Sequence, residues 1–175
     1  TSITKNEEFI SKEDTIYNKG CLISVSHKGY IKRTDVETYK TQKRGGKGVK
    51  NSYKHENDFV EHVFRASTHD YIMFFTNSGR VYIEKVYNLP EGSRVYKGKS
   101  IYSIINIKDK EYITGMVCFQ NFDKDQHLVM VTKKGIIKKT SLFNYKNYRK
   151  DGLIGIKIDN NDELVNVKWT SGKDD

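Results

Sequence analysis

The chain has 175 residues, enough for one domain with a sizeable core, and its 12% aromatic content excludes a disordered chain. Its formal net charge of +9 and pI of about 9.3 favour a polyanionic partner: DNA, RNA or an anionic membrane surface. No apolar run approaches the ~20 residues that span a bilayer, and residues 1–18 lack the apolar core of a signal peptide, so we expect no membrane association and a cytoplasmic location.

One pattern occurs three times along the chain: an apolar run, then Ser/Thr-x-x-Gly, then a second apolar or basic run. The copies lie at 22–33, 72–83 and 128–139, and their glycines are 50 and 56 residues apart. β-Branched and aromatic residues flank each turn, and the glycine occupies a position that requires positive φ. The pattern predicts three β-hairpins.

A second landmark recurs, in which an acidic residue (Asp58, Glu111 or Glu163) precedes a strand-like pattern. A period near 50 with about four strands is typical of a propeller blade. We predict an all-β, propeller-like fold with blades at about 13–57, 58–110 and 111–161 and the first strand of a fourth at 162–169. Three blades cannot close a ring, so residues 1–175 form either an open arc or, as we favour, a partial domain from a longer chain.

Positive charge is concentrated in one phase of this repeat, from each hairpin turn through the following loop. Residues 28–54, 79–99 and 133–150 carry net charges of +7, +3 and +7, so the rest of the chain is net −8. Because structural repetition converts a sequence phase into a location, these segments should lie along one continuous basic rim. Such a stripe suits the phosphates of duplex DNA and carries little base information, so we predict binding with weak sequence specificity.

The sharpest short motif is Gln42-Lys43-Arg44-Gly45-Gly46-Lys47-Gly48. Its glycines permit close backbone approach to a phosphate, while its lysines and arginine supply charge. The spacing of a nucleotide-binding P-loop cannot be laid over it. From composition alone, a flexible surface loop is an equally acceptable interpretation.

This motif resembles the box of the A subunits of bacterial DNA gyrases, whose usual form is Gln-Arg-Arg-Gly-Gly-Lys-Gly. Similar stretches surround it at 29–33, 58–62, 68–71, 74–82, 89–91, 93–94 and 131–135, so the resemblance extends over nearly the whole chain from about Glu13. Lys43 replaces the commoner arginine, which keeps the charge but loses the planar fork.

The resemblance implies the DNA-wrapping C-terminal domain of that family, a β-pinwheel of six four-stranded blades that exchange strands between neighbours. It implies that Gln42, Lys43, Arg44, Gly45, Gly46, Lys47 and Gly48 support DNA wrapping and negative supercoiling by the parent enzyme. Charge and phase add further candidate rim residues: Lys32, Arg33, Arg80, Arg94, Lys97, Lys99, Lys138 and Lys139.

The resemblance also implies three partners: double-stranded DNA, the gyrase B subunit and the rest of the gyrase A subunit. It implies that the parent enzyme is associated with the nucleoid. Its catalytic residues, ATP and Mg²⁺ belong to other regions, so we expect neither catalysis nor a cofactor in this chain. No zinc-ligand spacing links its histidines and cysteines, and we expect no metal site and two reduced, buried thiols, Cys21 and Cys118.

Four other interpretations stay open. The equivalent domain of topoisomerase IV shares the pinwheel but has a degraded or absent box. A propeller-like protein-interaction scaffold would use its lysines only for solubility, and an RNA-binding module would need exposed stacking aromatics that are not evident in the sequence. An enzyme is the least favoured, because no catalytic constellation can be assembled from these residues.

Overall fold

The computed structural model describes residues 12–38 and 57–170. Eleven strands are the main secondary structure of the described residues, joined by loops and by short helical turns. The strands are β1 Gly20–Ser26, β2 Tyr30–Asp35, β3 Val60–Ser67, β4 Tyr71–Thr76, β5 Arg80–Lys85, β6 Lys99–Ser100, β7 Ile113–Phe119, β8 His127–Thr132, β9 Ile137–Ser141, β10 Leu153–Ile154 and β11 Leu164–Thr170. The helical turns are α1 Lys12–Thr15, η1 Val86–Asn88, α2 Ile101–Ile104 and η2 Leu142–Tyr145.

The three predicted hairpins are confirmed as β1–β2, β4–β5 and β8–β9. Their turn glycines, Gly29, Gly79 and Gly135, have φ values of +85°, +83° and +89°. Only glycine adopts this left-handed conformation at little cost, which explains its recurrence at one position of each copy.

The serine or threonine of each turn motif closes the hairpin with its side chain. Its hydroxyl oxygen accepts a hydrogen bond from the backbone N–H of the residue after the glycine: Tyr30 N–H to Ser26 Oγ (3.0 Å), Arg80 N–H to Thr76 Oγ1 (3.2 Å) and Ile136 N–H to Thr132 Oγ1 (3.0 Å). All three hydroxyl residues are buried, and an apolar side chain in their place would leave the turn N–H without this acceptor.

The strands form three antiparallel sheets with corresponding orders: β3-β1-β2-β6, β7-β4-β5-β10 and β11-β8-β9. Each hairpin is joined on one side by the long strand that follows its loop, β3, β7 or β11. On the other side, β6 and β10 are short strands contributed by the loop of the next repeat. The fold is therefore all-β and propeller-like, as predicted, with each complete sheet built from two successive repeats.

This exchange places the sheets at sequence ranges that differ from the predicted blade divisions. Residues 58–110 contain β3, which pairs with β1, and β6, which pairs with β2. Both strands thus belong to the first sheet rather than to a separate second unit. Likewise, β11, predicted as the start of a fourth blade, completes the third sheet by pairing with β8.

The structure also changes which acidic residues are equivalent in the three repeats. The backbone N–H of each hairpin turn donates to the carbonyl of Phe59, Tyr112 or Glu163 in the three repeats. These three residues are therefore equivalent, and the acids that precede them are Asp58, Glu111 and Asp162. The third acid is Asp162 rather than Glu163.

The second sheet lies between the other two, and its central strand is buried on both faces. Residues 72–75 of β4 are each 0% exposed. Ile72 and Phe74 pack against the first sheet, whereas Met73 and Phe75 pack against the third. Because successive side chains of a strand point to opposite faces, burial of both faces explains the continuous apolar run of β4. Fuller burial of one face explains the alternating burial in β1 and β8.

Candidate nucleic-acid interface

The loop after the second hairpin and the loop after the third each run along the edge of the preceding sheet. After β5, residues 86–98 pass beside β2 and end in β6, which pairs with Tyr30 and Ile31. After β9, residues 142–152 end in β10, which pairs with Arg80 and Val81 of β5. These two basic loops are thereby attached to one edge of each four-stranded sheet.

These edges occupy equivalent positions in their sheets. The strands at the opposite end of each sheet contact one another in sequence, β3 with β7 and β7 with β11. Because the three sheets have the same strand order, β6, β10 and β9 lie at the other end of their sheets, away from these contacts. We call the segments 91–100, 137–141 and 146–154 at these edges the outer edge.

The outer edge is rich in cations with accessible side chains. Arg94 and Lys97 are half-buried, and the remaining cations, Lys99, Lys138, Lys139, Lys146, Arg149 and Lys150, are exposed. Glu91 and Asp151 are the acids within these segments. The predicted rim residues Arg94, Lys97, Lys99, Lys138 and Lys139 thus all belong to the outer edge.

Contacts with neighbouring groups orient several of these cations. Lys97 Nζ lies 3.9 Å from the centre of the Tyr30 ring, and Lys138 Nζ donates to the Gly155 carbonyl at 3.0 Å. Arg80, beside the outer edge on β5, donates from Nη2 to the Asp151 carbonyl. Such contacts hold a cation in place while leaving part of its charge directed to solvent.

Two predicted rim residues lie inside the fold instead. Lys32 is 8% exposed, and its ammonium donates to three backbone carbonyls of the loop that covers β2. The side chain of Arg33 is 13% exposed and lies 3.4 Å from a carboxylate oxygen of Glu91. Both belong to β2, whose two faces are covered by residues distant in sequence, so neither presents its charge at the surface.

The Gly-rich box, residues 42–48, lies outside the described residues, and its role in binding DNA stays a prediction. The described chain resumes at Asn57, and Asp58 follows immediately. Asp58 Oδ1 accepts hydrogen bonds from the backbone N–H of Lys28, in the first hairpin turn, and of Phe59, each at 3.0 Å. The carboxylate therefore fastens the chain after this segment to the hairpin turn.

Asp162 makes the corresponding bonds in the third repeat, from Lys134 N–H and Glu163 N–H at 2.9 Å. Burial alone would raise the pKa of each carboxyl group. The hydrogen bonds that Asp58 and Asp162 accept outweigh burial and hold both pKa values below the ordinary 3.8. Asp58 and Asp162 thus have a structural function at the turns of the first and third repeats, which the sequence pattern alone did not indicate.

The described residues include no group of three His, Cys, Asp or Glu side chains arranged to hold a metal ion. Cys21 and Cys118 are free thiols, the first buried and the second half-buried. Desolvation raises the pKa of Cys21 to about 11 and that of Cys118 to about 12, so neither thiol is activated as a nucleophile. Within 12–38 and 57–170, no helix is long and apolar enough to cross a membrane.

The fold and sequence are similar to those of known proteins. A family model described as the DNA gyrase C-terminal domain, beta-propeller, matches residues 22–67, 70–120 and 126–168. Each match covers one hairpin and the long strand that completes its sheet. The DNA gyrase A subunit of Clostridium acetobutylicum is 46% identical over 175 residues, which are 100% of this chain and 21% of that protein.

The corresponding protein of Campylobacter jejuni is 42% identical over 94% of this chain and 19% of its own length. The chain therefore spans about a fifth of the length of these curated relatives. Among solved structures, the C-terminal domain of DNA topoisomerase IV has a TM-score of 0.75 and 28% identity, covering 90% of this chain and 47% of that one. A DNA gyrase A C-terminal domain has a TM-score of 0.62 and 25% identity, covering 87% and 48%. Since the family model matches most of the chain, the protein belongs to the DNA gyrase C-terminal domain, β-propeller family.

Proposed function

We propose that this chain binds duplex DNA along the outer edge, without sequence specificity, and wraps it for a supercoiling type IIA topoisomerase. The observation that supports the proposal is the common strand order of the three sheets, which puts basic segments at the same edge of each sheet. Exposed cations from three sheets would then form a track rather than separate patches.

The chemistry of this surface suits phosphates better than bases. Lysine and arginine side chains neutralise phosphates and release condensed counterions, which is a sequence-independent source of affinity. The helices α1 and α2 have only four residues each, too short to act as a recognition helix in the major groove. Bending 20–30 bp by 40–90° costs about 1–6 kcal/mol, which contacts distributed along the outer edge and the box can offset.

The wider setting follows from the family. The relatives are the A subunits of DNA gyrases, of which this chain matches about a fifth, so catalytic residues, ATP and Mg²⁺ would lie in other regions of the enzyme. The partners would be the gyrase B subunit, the rest of the gyrase A subunit, plus the chromosomal DNA of the nucleoid. Within that enzyme, the outer edge and residues 42–48 would set the path of the wrapped segment.

The proposal is tested by removing three exposed outer-edge cations, Lys99, Arg149 and Lys150, as alanine substitutions. Each lost phosphate contact lowers the slope of log affinity against log salt by about 0.9. The triple variant should therefore show a slope shallower by roughly 3 and a loss between 50 and 200 mM salt that is about 40-fold smaller. Fluorescence titration of a labelled duplex measures both quantities.

A matched control removes the same charge from elsewhere. Lys108, Lys157 and Lys168 are exposed, but they lie on the connections before β7 and β11 and on β11 itself. Their triple alanine variant should keep the slope of the unaltered chain. Equal slopes for the two variants would mean that binding follows net charge alone, and the outer edge would not be the binding surface.

The C-terminal domain of topoisomerase IV remains the second candidate, because such a domain is similar to this chain in fold with a TM-score of 0.75. The two functions differ in the handedness of wrapping. Ligating nicked circles in the presence of the longer gyrase A chain should shift the linking number if DNA is wrapped with a fixed hand. An unchanged linking number would favour the topoisomerase IV function.

A further inference from the structure

Lys32 is a buried cation whose ammonium bonds to three backbone carbonyls of the next repeat. Its Nζ donates to the carbonyl oxygens of Ser93 at 3.2 Å, Arg94 at 2.8 Å and Tyr96 at 2.9 Å. An ammonium has three donors, and these bonds use all of them. The loop thus folds around the end of a lysine that comes from β2 of the preceding hairpin.

The neighbouring side chains on the same face of β2 hold the adjacent parts of this loop. Thr34 Oγ1 donates to the Gly92 carbonyl at 3.1 Å, and Tyr30 lies under the Lys97 ammonium at 3.9 Å. Residues 30, 32 and 34 alternate along the strand and therefore point the same way. One strand face thus fixes residues 92–97 in order, immediately before β6.

The burial of Lys32 is costly, so its position calls for an explanation. Burial and the nearby positive charge of Arg94 lower the pKa of Lys32. The carbonyls that receive its bonds are backbone groups, which cannot move away without unfolding the loop. A methionine of similar length would leave all three carbonyls without this donor.

We propose that Lys32 is a positioning residue for DNA binding: it does not contact DNA, but orders the loop that presents Lys97 and Lys99 on the outer edge. The inference rests on the proposed function and adds a residue to its mechanism. Ordering before binding matters because each side chain immobilised during association reduces affinity. Lys32 would remove that loss by fixing the loop in the free protein.

A double-mutant cycle tests the role. In the unaltered chain, Lys32→Met should lower affinity for a labelled duplex by roughly tenfold, the cost of ordering the two lysines on binding. In a Lys97→Met, Lys99→Met background, the same Lys32 substitution should change affinity by less than about twofold, because its effect passes through those lysines. A tenfold loss in both backgrounds would overturn the proposal and show that Lys32 acts elsewhere.

Hydrogen exchange provides a readout on the loop itself. The Tyr96 N–H donates to the Ser93 carbonyl and the Gly92 N–H donates to the Arg33 carbonyl, each at 3.1 Å. Both amides should exchange at least about tenfold faster in Lys32→Met and at the unaltered rate in the exposed control Lys108→Met. Unchanged exchange in Lys32→Met would contradict the ordering role.

Two further results would have different meanings. If Lys32→Met fails to fold, Thr34→Val removes one bond to the same loop, and it should lower affinity in the unaltered chain but not in the Lys97→Met, Lys99→Met background. Equal losses for Thr34→Val in both backgrounds would overturn the proposal. If the Lys97→Met, Lys99→Met background binds DNA as tightly as the unaltered chain, the proposed function fails at this sheet, independently of Lys32.

Discussion

Two turn glycines with nearly identical backbone conformations differ in what surrounds them. Gly79 and Gly135 have φ values of +83° and +89°. A Cβ atom on Gly79 would lie 2.3 Å from the backbone oxygen of Ile156, whereas a Cβ on Gly135 would meet nothing within 4 Å. The Gly79 carbonyl also accepts hydrogen bonds from Gly155 N–H at 2.8 Å and Ile156 N–H at 3.2 Å.

Alanine at these two positions should therefore have different costs. At Gly135, only the left-handed backbone is penalised, by about 1–2 kcal/mol. At Gly79, the same strain applies, and the segment after β10 must also shift, which adds about 1–3 kcal/mol as overpacking does elsewhere. For a chain of this size, each kcal/mol corresponds to about 2–4 °C in Tm.

The assay is urea unfolding of both variants with the unaltered chain, comparing midpoints at constant m-value. Because the displaced segment follows Arg149 and Lys150, Gly79→Ala should also weaken DNA binding more than Gly135→Ala. Equal destabilisation by the two substitutions would refute the reasoning, since it would mean that the attachment of β10 to the second hairpin contributes nothing to stability.

Two other properties follow from the ionisable groups. The depressed pKa values of Asp58 and Asp162 contribute stability that is fully present above the unfolded-state pKa near 4. Urea midpoints should therefore stay level down to about pH 4 and fall below it, and the substitution Asp58→Asn should make that fall smaller. A fall already complete at pH 5 would contradict this explanation. Because the pKa values of Cys21 and Cys118 are raised, iodoacetamide at pH 8 should leave both thiols unmodified in the folded chain and alkylate them in urea. Mass spectrometry measures the modification. Rapid alkylation without urea would contradict the burial of these thiols.

The hairpins and the propeller-like fold could be predicted from the sequence because their signals are local. A hydroxyl residue and a glycine three positions later are enough to specify each turn, and residues 72–75 already show the uninterrupted apolar run of a strand buried on both faces. The sheet boundaries could not be predicted in the same way, because β6 and β10 have two residues each and pair with strands from the preceding repeat.

The candidate site, too, could be predicted from the sequence only in part. Charge periodicity predicted a common location for the basic segments, and the repeated strand order puts the later two loops at corresponding sheet edges. It could not distinguish Lys32 from Lys99, since both are lysines in the basic phase. The difference arises from the loop of the next repeat, which covers Lys32 and leaves Lys99 exposed, and such a contact between repeats leaves no periodic mark in the sequence.

Strand exchange also determines where the outer edge is vulnerable. Each exchanged strand has two residues and so few ladder bonds, which makes these edges the segments expected to open first. The contacts that supplement the ladder are Lys32 and Thr34 at the first sheet and the Gly79 carbonyl at the second. A protein that binds DNA with flexible cations alone would not need them. Their presence under the two basic loops holds these loops in shape in the free protein. Under the proposed function, substitutions at these buried positions should therefore weaken DNA binding although they remove no outer-edge charge.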